Sequence, residues 1–336
     1  MRKFLSIIFV VLVGAAMAAA LPRPADVPEL KVTIHEWPVP TKGAHPHDPA
    51  VGADGALWFT EQMQNKIGRL DPATGEFKEF SLRVADSGPH GLVSDPAGNI
   101  WFTGNFAGYI GKLDPHTGAV TEFKTPANGK EDDPHTAVFD SHGTLWFTMQ
   151  VANLVGRLDP KTGKVEVKQA PTPNSHPYGI AINSKGEPVF CEFNSNKLAR
   201  INPKTMEITE YALPATARPR RMAIDSADRV YFTDYAAGNL GLLDPATGKV
   251  QMWPSPGGAQ SAPYGIVITP DGMVWYSESG VKPNTIIRFD PKTHTFARAV
   301  IPSGGGTVRN MAATPDGRVY IACSGVDKVG VVQIEK

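Results

Sequence analysis

From residue 31 onward the chain alternates short apolar runs with turns rich in Gly, Asp and Pro, and no stretch carries a sustained helical period. One script recurs. A short run such as "GLVSD", "GIAIN" or "GIVIT" leads into a turn such as "DPAGN" or "TPDGM". An aromatic run follows, read in order as "LWFT", "IWFT", "LWFT", "PVFC", "VYFT", "VWYS" and "VYIA". Next come runs such as "NKIGRLDP", "YIGKLDP" or "NLVGRLDP", a D-P-x-T-G turn, and a last run such as "EFKEF" or "AVTEF". In that turn Asp and Pro set the entry and Gly takes the positive φ. The pattern predicts four short strands per unit.

Aligned on the residue that opens the first strand, the units begin at His47, His90, His135, Tyr178, Arg220, Tyr264 and Arg309, at intervals of 43, 45, 43, 42, 44 and 45 residues. Four strands per unit of this length describe a β-propeller blade, and seven units make an all-β, seven-bladed β-propeller with four antiparallel strands per blade. The WD dipeptide of WD40 repeats is absent. The seventh unit stops after its third strand, "KVGVVQIEK", whereas "KVTIHEWPVP" stands as an orphan strand ahead of the first unit. The N-terminal strand is therefore expected to complete the last blade and close the ring, which removes an exposed sheet edge. Residues 28–336 are read as this single domain.

Composition adds compartment and partners. Arg2 and Lys3, the apolar run "FLSIIFVVLV" and Ala18-Ala19-Ala20 form a cleavable signal peptide over residues 1–20. The apolar run is too short to span a bilayer comfortably, and no cysteine follows that would take a lipid anchor, so the expected location is the periplasm or the exterior. Basic and acidic residues number 33 each, which gives no footprint for nucleic acid or anionic membrane. Cys191 and Cys323 match no zinc or redox spacing and are expected to be small buried hydrophobes. The chain is expected to act as a monomer.

The position that opens each first strand holds three His, two Tyr and two Arg. Packing alone would favour Val or Ile at the start of a buried strand. In a propeller the first strand lines the channel and the second runs back to the same mouth, which is expected to bring Glu61, Glu192, Asp234 and Glu278 close to the ring. A wet mouth would tolerate such residues without any chemistry, but clustered His, Arg and carboxylates in a concavity are also what binding and acid–base sites contain. Asp133 reads either as a solvated loop charge or as a metal ligand, and His45 with Asp48 as a further possible ligand set. Arg220 and Arg309 could hold a carboxylate or a polarised carbonyl, or neutralise Asp234 and Glu278. No G-x-S-x-G, H-E-x-x-H, phosphate loop or dinucleotide fingerprint occurs, which argues against serine hydrolysis and phosphoryl transfer.

The units "PHGLVSDPAGNIWFTGNFAGYIGKLDPHTGAVTEF" and "HPHDPAVGADGALWFTEQMQNKIGRLDPATGEFKEF" resemble those of the streptogramin B (virginiamycin B) lyase family across essentially the whole mature chain. The resemblance implies an enzyme that opens a cyclic depsipeptide by elimination, with a histidine removing an α-proton and Mg²⁺ polarising the substrate. Gly88-Pro89-His90 looks like one of the family's elements, and Asp133-Pro134-His135 with Trp146-Phe147-Thr148-Met149-Gln150 like the other. It implies His135 as general base, His90 as substrate-binding partner, and Asp133 and Gln150 as Mg²⁺ ligands. His47, Tyr178, Arg220, Tyr264 and Arg309 would complete the binding surface for a small-molecule or cyclic-peptide substrate. Two departures stand out. Gln150 replaces an acidic ligand, and an amide binds Mg²⁺ less strongly than a carboxylate. The two elements also fall on blades two and three, where the family has them on the last two. Two other readings of the same mouth remain: a metal-dependent lactone or ester hydrolase of gluconolactonase type, and a non-catalytic ligand-binding propeller.

Overall fold

A computed structural model describes residues 27–126 and 132–335. The expected signal peptide lies outside the described residues. Seven four-stranded antiparallel sheets form the blades, each built in sequence order except the last. There β26 (Val308–Ala313), β27 (Val319–Cys323) and β28 (Lys328–Ile334) are joined by β1 (Val32–Pro38), which pairs along β28 from Val32↔Ile334 to Pro38↔Lys328. The N-terminal strand closes the ring, as the sequence predicts. None of the described helical segments is long and apolar enough to cross a membrane.

The innermost strands are β2 (Pro46–Val51), β6 (Pro89–Ser94), β10 (Pro134–Phe139), β14 (Pro177–Ile182), β18 (Pro219–Ile224), β22 (Pro263–Ile268) and β26. Behind them the aromatic strands are buried at every residue, for example β3 (Leu57–Glu61), β7 (Ile100–Gly104) and β11 (Leu145–Met149). This explains why these runs lack the alternation of a half-exposed strand.

Two features of the repeat have direct packing causes. The Phe of the W-F-T run lies over the Gly of the third strand, with Phe59 opposite Gly68, Phe102 opposite Gly111 and Phe147 opposite Gly156. A Cβ at these glycines would sit 2.2–2.3 Å from the ring, so only Gly fits. The Trp anchors the turn before it: Nε1 of Trp101 donates to Asp95 at 2.8 Å and that of Trp146 to Asp140 at 2.9 Å. The D-P-x-T-G turns take the expected positive φ at Gly75, Gly118, Gly163 and Gly248.

The Thr of the same run fastens one blade to the next. Thr103 Oγ1 accepts from Gly91 N at 2.8 Å and donates to the carbonyl of His135, one blade on, at 2.8 Å. Thr60 does the same between Asp48 N and His90 O, Thr148 between Thr136 N and Tyr178 O, and Thr233 between Arg221 N and Tyr264 O. Ser277 bridges Gly265 N to Val308 O. Blade four carries Cys191 and blade seven Ala322 at this place, both buried. The two cysteines are free and buried, as expected.

Replacing Thr103 by Val keeps the volume and strands a buried carbonyl and amide. It should cost about 1–3 kcal/mol in urea unfolding, whereas Thr117→Val on an exposed turn should cost well under 1 kcal/mol by the same measurement.

Candidate functional site

Each innermost strand is bulged at its start. In β6 the register runs Pro89↔Gly104 and then Leu92↔Phe102, which leaves His90 and Gly91 without a direct partner, and the same shift occurs in all seven blades. The bulge frees the residue that opens the strand to turn toward the axis. The expected ring is therefore assembled. His47 and His90 lie with ring centroids 3.8 Å apart, His90 and His135 3.8 Å apart, and His135 and Tyr178 4.0 Å apart. Arg220 completes the arc, its guanidinium 3.9 Å from the Tyr264 ring centroid and 4.2 Å from that of Tyr235. The Tyr178 and Tyr264 hydroxyls hydrogen bond to each other at 2.5 Å, and Arg309 lies 5.9 Å from Tyr264.

The ring is a plug rather than an open wet wall. His47, His90, His135, Tyr178 and Tyr264 are 1–3% exposed. Beneath it lies a second layer, formed by the residue after each ring member. In blades two, four and six this residue is Gly, and a Cβ at Gly91 would sit 2.5 Å from the carbonyl oxygen of His135. In the odd blades it is Asp48, Thr136, Arg221 and Asn310. Arg221 reaches across the axis to Asp48 at 2.8 Å and to Thr136 at 3.2 Å, and Asn310 donates to Asp48 at 3.0 Å. Asp48 also accepts from His47 Nδ1 at 2.9 Å. This layer was not singled out from the sequence, although the break in the P-[HY]-G pattern at alternate blades marks it. On its far side a channel of about 440 Å³ opens, lined by the four polar side chains of this layer and by apolar residues that include Leu92, Ile180, Met222 and Met311.

The histidines differ in what holds them. His47 Nδ1 faces the Asp48 carboxylate, His90 Nδ1 the carbonyl of His135 at 3.1 Å, and His135 Nδ1 the Thr136 hydroxyl at 2.9 Å. No hydrogen bond to Nε2 of any of the three is present among the described residues. Burial holds all three well below the usual histidine range. The charges of Arg309 and Arg221 add to this at His47, and its neighbouring rings at His90 and His135. At neutral pH the stack is uncharged, with ring nitrogens able to accept a proton.

Two expectations about the surroundings are corrected. The carboxylates that end the second strands do not join the ring, because the bulge sets them opposite the preceding proline: Pro46↔Glu61, Pro177↔Glu192, Pro219↔Asp234 and Pro263↔Glu278. Glu278 instead accepts from Ser255, Gly257 N and Thr285, and Asp234 from Arg218 N and Asn239. Arg220 and Arg309 do not neutralise them: among the described residues neither forms an ion pair.

Asp133 and Gln150 come together, but not in the plug. With Asn105, Phe106 and Asp132 they line a separate cavity of about 540 Å³ whose described lining includes neither His90 nor His135. Asp133 accepts from Val151 N at 2.6 Å and Ala152 N at 3.0 Å. Carboxylate and amide oxygens are the donors Mg²⁺ prefers, so this set fits the ion in kind. His47, Asp48 and His90 also bring three possible ligand atoms within 4.8 Å of one another. There the carboxylate is committed to Arg221, Asn310 and His47, and a dication would meet guanidinium charge.

The fold and plug define a seven-bladed propeller with a histidine-rich polar axis. The pattern of the virginiamycin B lyase family matches residues 28–257, and the chain belongs to that family. A streptogramin B lyase structure superposes with a TM-score of 0.82 at 25% identity, covering 91% of this chain and 98% of the other. The Staphylococcus aureus virginiamycin B lyase gives 0.81 at 22% identity, over 91% and 100%. A catalytically inactive form of the latter enzyme with quinupristin gives 0.67 at 27% identity, over 90% and 85%.

Glu61 is fully buried, with neither carboxyl oxygen hydrogen bonded among the described residues. Burial, and then the negative charge of Glu79, push its carboxyl up to about 8. A carboxyl raised in the folded state stabilises fully below its unfolded value near 4.5, and that contribution is lost as pH rises to about 8. Glu61→Gln should therefore gain stability relative to the parent as pH rises from 5 to 8.5, read from denaturation midpoints. A constant difference would show that Glu61 does not titrate in this window.

Proposed function

We propose that this protein is a carbon–oxygen lyase, exported by its N-terminal segment, that opens an ester or depsipeptide-like ring by elimination at the ring of polar side chains on the propeller axis. The observation that carries this reading is the stack of His47, His90 and His135, gathered on the axis of a propeller of this family, where burial favours the uncharged imidazole. An uncharged imidazole is the form that removes a proton.

In this reading His135 is the base. Thr136 fixes its ring through Nδ1, which leaves Nε2 for the substrate α-proton. His90, held by the His135 carbonyl, orients the ester, and His47, Tyr178, Arg220, Tyr264 and Arg309 complete the binding surface. The buried stack keeps water from the reacting carbon, which favours elimination over hydrolysis. Asp133 and Gln150, with Asp132, would hold Mg²⁺, and that ion would supply Lewis-acid polarisation of a carbonyl.

Quinupristin, the compound bound by the related inactive enzyme, is the first substrate to try. The ring-opened product should keep the mass of the substrate; a gain of one water would mean hydrolysis and sink the mechanism. His135→Ala should lower kcat by about 10²-fold or more with unchanged unfolding behaviour. Because the reactive histidine must be unprotonated and its pKa is depressed, the acid limb of kcat/KM should lie below pH 6.5.

A further inference from the structure

The ring carries more positive charge than it neutralises. Three guanidiniums, those of Arg220, Arg221 and Arg309, converge on the axis, and among the described residues the one carboxylate bonded to any of them there is Asp48, which is taken by Arg221 at 2.8 Å. Arg220 is accommodated in another way. Its charge lies within 3.9–5.1 Å of the Tyr264, Tyr235, Phe193 and Tyr178 rings, and it donates to the Tyr178 hydroxyl at 3.3 Å. Arg309 has no such arrangement. It is half-buried, its Nε is buried without a partner, and its nearest aromatic face is Tyr264 at 5.9 Å. Among the described residues it makes neither a hydrogen bond nor an ion pair. A partly desolvated guanidinium with unused donors is costly to maintain unless something completes it.

We propose that Arg309 is the anchor for a carboxylate on the substrate, so that the ligand of this mouth is an ester or depsipeptide-like compound bearing a free carboxylate. One uncommitted guanidinium calls for a single negative charge with two coplanar oxygens, which its planar fork matches bidentately. Arg309 opens the innermost strand of blade seven, beside His47 on blade one, so an anchored carboxylate extends the ligand over the histidine stack. The inference rests on the elimination reading only for the ester half of the ligand; the carboxylate contact is a binding property and can be measured without turnover.

The test is calorimetric titration and thermal shift of the full chain with benzoate and succinate, each compared with its neutral amide, and with inorganic phosphate. Carboxylates should bind and stabilise while the amides do not. Arg309→Gln should weaken carboxylate binding at least tenfold, Arg309→Lys should recover part of it, and Arg218→Gln, an arginine engaged with the Ala215 and Ala217 carbonyls, should leave it unchanged. If the parent protein binds carboxylates but no elimination is ever detected with it, the lyase reading falls and this one stands. Equal response to acids and amides, tighter binding of phosphate, or equal losses in Arg309→Gln and Arg218→Gln would each overturn the assignment.

Discussion

Seven strands converging on one axis leave almost no room for side chains, and the rest of the molecule is arranged around that crowding. At Gly91 a single Cβ would fall 2.5 Å from the next blade's carbonyl oxygen, and at Gly179 2.9 Å. Glycine in the even blades lets the backbones close in, so the odd blades can send four polar side chains into the space that remains. The close approach also brings each Thr hydroxyl of the second strand within reach of the neighbouring blade's carbonyl. The same contact that holds the blades together thus fixes the depth of the histidines, since the carbonyls being held belong to His90, His135 and Tyr178.

The electrostatics follow from that depth. A buried Asp48–Arg221 pair contributes little net stability, because desolvation offsets attraction, yet breaking it would cost about 3–5 kcal/mol. Its further hydrogen bonds to Asn310, Thr136 and His47 are the satisfaction such a pair requires. Burial, with the cationic residue of this arrangement adding to it, keeps the imidazoles unprotonated, and an unprotonated stack in turn places no positive charge beside Arg220 and Arg309.

Much of this was legible in the chain. The repeat interval gave the blade count, the orphan strand "KVTIHEWPVP" predicted closure, and the polar residues at strand openings predicted a gathered ring. The position of the carboxylates was not legible, because it depends on a bulge that moves Glu61 opposite Pro46 while the strand lengths stay the same. Asp133 and Gln150 line one cavity, but that cavity is walled by Asn105 and Phe106 from blade two, a contact between blades that no single repeat encodes. The second polar layer went unread because Asp48, Thr136, Arg221 and Asn310 occur once each and share no motif. Only their common offset from the ring relates them.

The closure by β1 has a consequence for how the chain comes into being. Every blade but the last is complete as soon as its own forty-odd residues exist, whereas the last needs the first strand and the final one together. Until the C-terminal residues are made, the seventh sheet lacks three of its four strands, and the earliest strand must wait unpaired for the latest. The ring can therefore be closed only when both ends of the chain are present.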